Sequence, residues 1–169
     1  ASPFQEEGEL MLQMFFENKR VYSVCFSCTD QGSAWIGGIQ GGKDISNDEV
    51  KALTKELYGT RPKNLIITLL YGLLRHFNIR EIYAIDSDYH VKSDKVKASY
   101  SELWLEIGGE KQRRGWYKLP PQEIKKSLEE VKSKHRSQFI KRESLKEQAQ
   151  LDLIAALRQI SVGNNTNQP

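Results

Sequence analysis

Three short stretches carry residue types that could do chemistry. In Asp86-Ser87-Asp88-Tyr89-His90 two carboxylates and an imidazole alternate, so an extended chain would place all three on one face. A carboxylate beside an imidazole fixes its tautomer and raises its basicity, as a general base near neutral pH requires. His90 is then the candidate base and Asp88 its partner. The competing reading of these residues is a surface turn held by Asx hydrogen bonds. The second stretch is Ala34-Trp35-Ile36-Gly37-Gly38-Ile39-Gln40-Gly41-Gly42. Glycine weakens a strand interior, so four of them need a reason: close approach by a ligand at Gly37, Gly38, Gln40 and Gly41, or a bulge or packing against a helix. No lysine-serine or lysine-threonine follows and the Gly-x-Gly-x-x-Gly spacing is missing, so neither a kinase nor a dehydrogenase is supported.

The third stretch is Tyr58-Gly59-Thr60-Arg61-Pro62-Lys63-Asn64. Proline suits the first position of a helix, and a helix N-terminus carries about half a positive charge. Acidic residues belong there, yet this start has Arg61 and Lys63. With Asn64 and free backbone N–H groups they would attract an anion, unless both cations turn into solvent or pair with a carboxylate elsewhere. Other chemistry is weaker. Cys25 and Cys28 lie in an alternating strand pattern that sends residues three apart to opposite faces, and no second pair exists, so neither a metal nor a redox site is expected. His76 lies in an apolar helix and reads as a core histidine. The basic run Ser133 to Arg142 is interleaved with nearby glutamates and reads as a solvated helix face.

Something must position these stretches. The chain has 169 residues, 38% hydrophobic and 28% charged, the balance and length of one globular domain. Net charge is +3, but residues 1–60 carry −4 and the remainder +7, which suggests an anionic partner for the second half. The apolar run from Asn64 to Leu74 is too short for a bilayer span of about 20 residues, and no secretion signal is present, so the expected location is cytoplasmic. Alternation predicts strands over 9–16, 21–29 and 34–40, an antiparallel meander closed by the turns at Glu17 and Asp30. Ser46 and Glu49 have capping-box spacing before a helix that ends at Gly59. A second helix is predicted from Pro62 to about Phe77, a buried strand over 81–85, and a helix over 101–107 stopped by Gly108-Gly109. A strand over 116–119 is closed by Pro120-Pro121. From Gln122 to about Ile160 the pattern is charged and helical. Residues 1–160 are read as one domain and 161–169 as a disordered tail. The fold class is α+β: a mixed sheet opening with the meander, a helical crossover to a further strand, and a long C-terminal helical segment.

In their order along the chain, several segments resemble the bacterial VirK/YbjX family, a domain of unknown function. They are Glu7-Gly8-Glu9-Leu10, Ile36-Gly37-Gly38-Ile39-Gln40-Gly41, Leu57 to Leu65, Ser87-Asp88-Tyr89-His90-Val91, Leu103 to Gly109, Tyr117-Lys118-Leu119-Pro120 and Ser133 to Arg142. The resemblance spans about residues 7 to 157. It implies a Gram-negative protein tied to virulence and resistance to antimicrobial peptides, acting through the envelope, and it supplies no catalytic residues. Family members usually carry asparagine at the position of Asp88, which weakens a role for that carboxylate. They are also usually longer at the N-terminus, which leaves room for an element that precedes this chain.

The element order is also similar to the core of GNAT-type acyltransferases, in which an acyl-coenzyme A lies against a splayed strand with its pyrophosphate on the next helix N-terminus. That analogy is one of fold only, since the Arg/Gln-x-x-Gly-x-Gly/Ala loop is missing and two helices fill the crossover. It assigns the donor coenzyme to Gly37, Gly38, Gln40, Gly41, Arg61, Lys63 and Asn64, with His90 as base and no metal. The other expectation is a non-catalytic module that regulates an envelope protein partner. Nucleic acid is disfavoured, because aromatic residues do not interleave with an excess of basic ones.

Overall fold

The computed structural model describes residues 8–89 and 100–165, with side chains to Gln159. Leu10–Phe16 (β1), Lys19–Cys28 (β2) and Ser33–Gly41 (β3) form the expected antiparallel meander. The first turn is tighter than a four-residue polar loop. Glu17 and Asn18 both have positive φ, 48° and 63°, and Phe16 pairs directly with Lys19. Two left-handed residues in succession match the twist of the flanking strands, so β2 starts two residues before Val21.

Asn47–Glu56 (α1) starts as the spacing predicts: the Ser46 hydroxyl accepts from the Glu49 amide, and the Glu49 carboxylate accepts from the Ser46 amide. Pro62–His76 (α2) then returns the chain along the sheet to Glu81–Ile85 (β4). β4 lies parallel to β3, as a strand–helix–strand connection requires. Tyr100–Glu106 (α3), Glu110–Lys111 (β5) and Trp116–Leu119 (β6) complete the sheet in the order β1-β2-β3-β4-β6-β5. The two-residue β5 carries no periodicity and was invisible in the sequence. The fold is α+β.

The core lies on one face of this sheet. Val24, Phe26, Ala34, Ile36, Ile82 and Ala84 point to the apolar side of α2 (Ile66, Leu70, Leu74), and Trp104 of α3 is fully buried against the same cluster. His76 is not part of it. It stands exposed in the last turn of α2, where a basic group suits the negative end of the helix. The opposite sheet face carries Trp35 stacked on Tyr83 at 4.4 Å, with Trp116 meeting Trp35 edge-on at 4.8 Å.

The charged segment after Pro121 is not a helix throughout. Residues 122–132 are irregular apart from a turn over 128–131, a 3₁₀ turn covers Ser133–His135, and only Arg136–Asn165 (α4) is α-helical. Tertiary contacts outweigh helical propensity there. Pro120 accepts from the Tyr71 hydroxyl at 3.0 Å, and Glu123 accepts from the Thr68 hydroxyl at 2.7 Å, pinning the segment across α2. α4 runs alongside α2 in the same direction. Gln138 sits by Gly59, while Gln150 donates to the Thr68 carbonyl at 2.6 Å and leaves Gly72 no room for a side chain. Of the expected tail, residues 166–169 lie outside the described residues, and α4 reaches Asn165. No helix among the described residues is long and apolar enough to cross a membrane.

Candidate functional site

The site is built where β3 and β4 stop being neighbours. Their parallel register runs from Ser33 with Glu81 to Ile36 with Ala84 and ends there, although β3 continues to Gly41. The parting coincides with a bulge. Phe26 pairs with Ile36 and Cys25 with Gly38, so Gly37 has no partner on β2. An inserted residue bends its strand and sharpens its twist, which carries β3 away from β4. Gly37 and Gly38 therefore stand at a bend with sheet on one side only. Gln40 is half-buried, and its carbonyl accepts from the Ser23 hydroxyl at 3.5 Å. Gly41 faces the Tyr22 ring at ordinary contact distance. Gly42 has a structural reason of its own: a Cβ there would fall 1.6 Å from the Arg20 carbonyl oxygen.

α2 leads directly into the start of β4, and its 15 residues span about 22 Å. Its N-terminus therefore stands at the end of the sheet where β3 leaves β4. That terminus has no acidic residue in its first turn and no side-chain cap on Arg61. Arg61 is exposed, while Lys63 and Asn64 are half-buried. Two polar atoms beside them are buried without a hydrogen-bond partner: the hydroxyl of Thr60, a residue 4% exposed, and the side-chain oxygen of Asn64. A buried hydroxyl with nothing to bond costs about 1–3 kcal/mol, so this end of α2 has unused hydrogen-bonding capacity.

At the end of β4 the chain does not stay extended. Ser87–Tyr89 is a 3₁₀ turn, and the Asp88 amide donates to the Asp86 carboxylate at 3.4 Å, the Asx-type turn that competed with the shared-face reading. Asp86 and Asp88 therefore diverge, the first 1% exposed and the second on the surface. His90 lies outside the described residues.

Asp86 instead meets two groups that its sequence neighbourhood does not contain. The Lys111 ammonium lies 2.8 Å from its Oδ2, and the Ser101 hydroxyl donates to its Oδ1 at 2.8 Å. Burial alone would raise the Asp86 carboxyl. Hydrogen bonds from Lys111, Ser101 and the Asp88 amide outweigh it and hold the group below its ordinary value. Ser87 completes the arrangement by accepting from the amides of Tyr100 and Ser101, so the end of β4 caps the start of α3. Proximity across 15 and 25 residues has no local signature, which is why Ser101 and Lys111 escaped the sequence reading. Thr60 could have been found, being a hydroxyl residue one position before the N-cap of a proline-initiated helix.

Cys25 is buried and Cys28 half-buried, neither in a disulfide, on opposite sides of β2. Burial, with Glu9 nearby, pushes the Cys28 thiol up and away from the reactive thiolate. Among the described residues no three His, Cys, Asp or Glu side chains converge as they would around a metal ion.

The profile of the family described as "Protein of unknown function (DUF535)" matches residues 1–155. The "Uncharacterized protein YbjX" of Escherichia coli is 29% identical over 126 residues, 68% of this chain and 38% of that protein. An uncharacterized protein of Haemophilus influenzae is 30% identical over 141 residues, 80% of this chain and 48% of its own length. The chain thus spans less than half the length of these curated relatives. No solved structure matches it. By the extent of the profile match, the chain belongs to the DUF535 family, which is the VirK/YbjX family.

Proposed function

We propose that the chain holds an acyl-coenzyme A where β3 leaves β4 and transfers its acyl group to an amine or hydroxyl acceptor. The observation that supports this best is the register that ends at Ile36 and Ala84 with β3 running on, bulged at Gly37, beside the acid-free N-terminus of α2. A strand released from its neighbour leaves amide and carbonyl groups along Gly38 to Gly41 that amides of an extended ligand could pair with. Arg61, Lys63 and Asn64, with the unpartnered Thr60 hydroxyl, would take the pyrophosphate by charge and by the helix end. In the reaction the acceptor attacks the thioester carbonyl and the carbon–sulfur bond breaks. The acceptor's proton goes to a base, proposed to be His90 with Asp88 as the assisting carboxylate, and the departing thiolate takes one up.

A second reading, a non-catalytic module for an envelope partner, is favoured by Ile140 and Leu151, 50% and 60% exposed on α4. The role in virulence and antimicrobial-peptide resistance that the family resemblance implies fits either reading. A thermal-shift series with coenzyme A, acetyl- and long-chain acyl-coenzyme A, against phosphate and heparin, separates the two. A ligand at 100 times its dissociation constant adds about 2.7 kcal/mol of stability. Stabilisation by the coenzyme A set alone, lost in Arg61→Ala with Lys63→Ala, is the expected result. Under the same reading His90→Ala keeps binding and loses turnover. No shift, or an equal one with heparin, removes the acyltransferase reading.

A further inference from the structure

Away from the β3–β4 cleft, a cavity of about 340 Å³ lies between the irregular segment after Pro121 and the first turns of α4. That volume suits a small organic molecule, being many times the roughly 30 Å³ share of one water. Its cations come from both walls: Lys125 and Lys126 from the segment, Arg142 and Lys146 from α4. They are not equivalent. Lys146 is neutralised by Glu123 at 3.4 Å and Glu143 at 3.5 Å. The other wall carboxylate, Glu130, accepts from the Ser127 amide at 2.6 Å. Lys125, Lys126 and Arg142 have no carboxylate partner among the described residues, and the Nε of Arg142 is buried with no acceptor.

Burying a guanidinium N–H without an acceptor is costly, and the planar fork of arginine matches two oxygens of a phosphate. The rest of the wall is His135 and three apolar side chains, Val131, Phe139 and Ile124, the last 69% exposed. A ligand that fits presents the oxygens of a dianionic group to Arg142 and the two lysines and an apolar or planar body to Phe139. We propose that this cavity is a binding site for a small phosphate monoester with such a body, separate from and independent of the coenzyme reading.

The test is calorimetric titration with phenyl phosphate, with inorganic phosphate and benzyl alcohol as half-ligands. Saturable 1:1 binding of phenyl phosphate is expected, with inorganic phosphate weaker and benzyl alcohol silent. Arg142→Gln should weaken it at least tenfold, and Lys126→Glu, an exposed change that leaves the packing of α4 alone, should do so even if Arg142→Gln fails to fold. Arg61→Gln with Lys63→Gln should leave the affinity unchanged. Absence of binding at millimolar phenyl phosphate would overturn the proposal. So would binding that survives Lys126→Glu, or binding lost only in the Arg61/Lys63 variant.

Discussion

The ion pair between Lys111 and Asp86 shows what a single contact does to a buried acid. The carboxylate is 2% exposed while the lysine stays 60% exposed, so removing the lysine strips the counter-charge it has among the described residues. Because the folded value is held below the unfolded one, this carboxylate contributes stability above its ordinary range near 4, and that contribution is lost as pH falls through its lowered value. In Lys111→Met the lysine's hydrogen bond and charge are both lost, and the carboxyl moves up toward its ordinary value. The stability deficit against the parent should therefore be small at pH 3 and full by pH 6, read as urea midpoints across that range; a pH-independent deficit would show that Lys111 acts only through packing. Residue types were legible in the sequence here, and their company was not. Asp88 and His90 are two residues apart in the sequence, whereas Asp86 finds its partners on α3 and β5.

Elements followed the sequence wherever a local rule governs them. The Ser46–Glu49 cap is one such rule, and its strength has a pH signature. A hydrogen bond from Lys19, then those from Ser46, hold the Glu49 carboxyl at about 2 against an ordinary 4.5. The cap therefore supports α1 fully above pH 4.5 and loses that support between 4.5 and about 2, a limb that should vanish from acid titration curves of Glu49→Gln. β3 is the opposite case, because its glycines share a composition but not a cause. Gly37 makes the bulge, while Gly42 sits against the Arg20 carbonyl and donates its amide to Val21 at 2.8 Å. Gly42→Ala must displace backbone, and a loss of more than about 2 kcal/mol in chemical denaturation is expected. The segment after Pro121 has a helical charge pattern yet is not a helix, because its restraints, Thr68 and Tyr71, belong to another element.

At the scale of the molecule, the strand order follows from the element order only in its first four members; that β6 inserts between β4 and β5 could not be read from 25 residues of weak pattern. Two parallel helices, α2 and α4, also start close together, Gln138 lying by Gly59, so the fields of their positive ends add. The sheet ends unequally. Among the described residues one outer strand is the seven-residue β1, with Leu10 and Phe15 49% and 58% exposed, and the other is the two-residue β5 bearing Glu110 and Lys111. The long side can accept a further strand; the short, charged side refuses one. A fibre needs each copy to offer a different edge to the next, and among the described residues this sheet has only one edge to offer. Copies that associate through it can therefore join only like to like, about a twofold axis, and stop at two. Sedimentation at rising concentration should accordingly show monomer and dimer without larger species, with Phe15→Lys moving the balance to monomer.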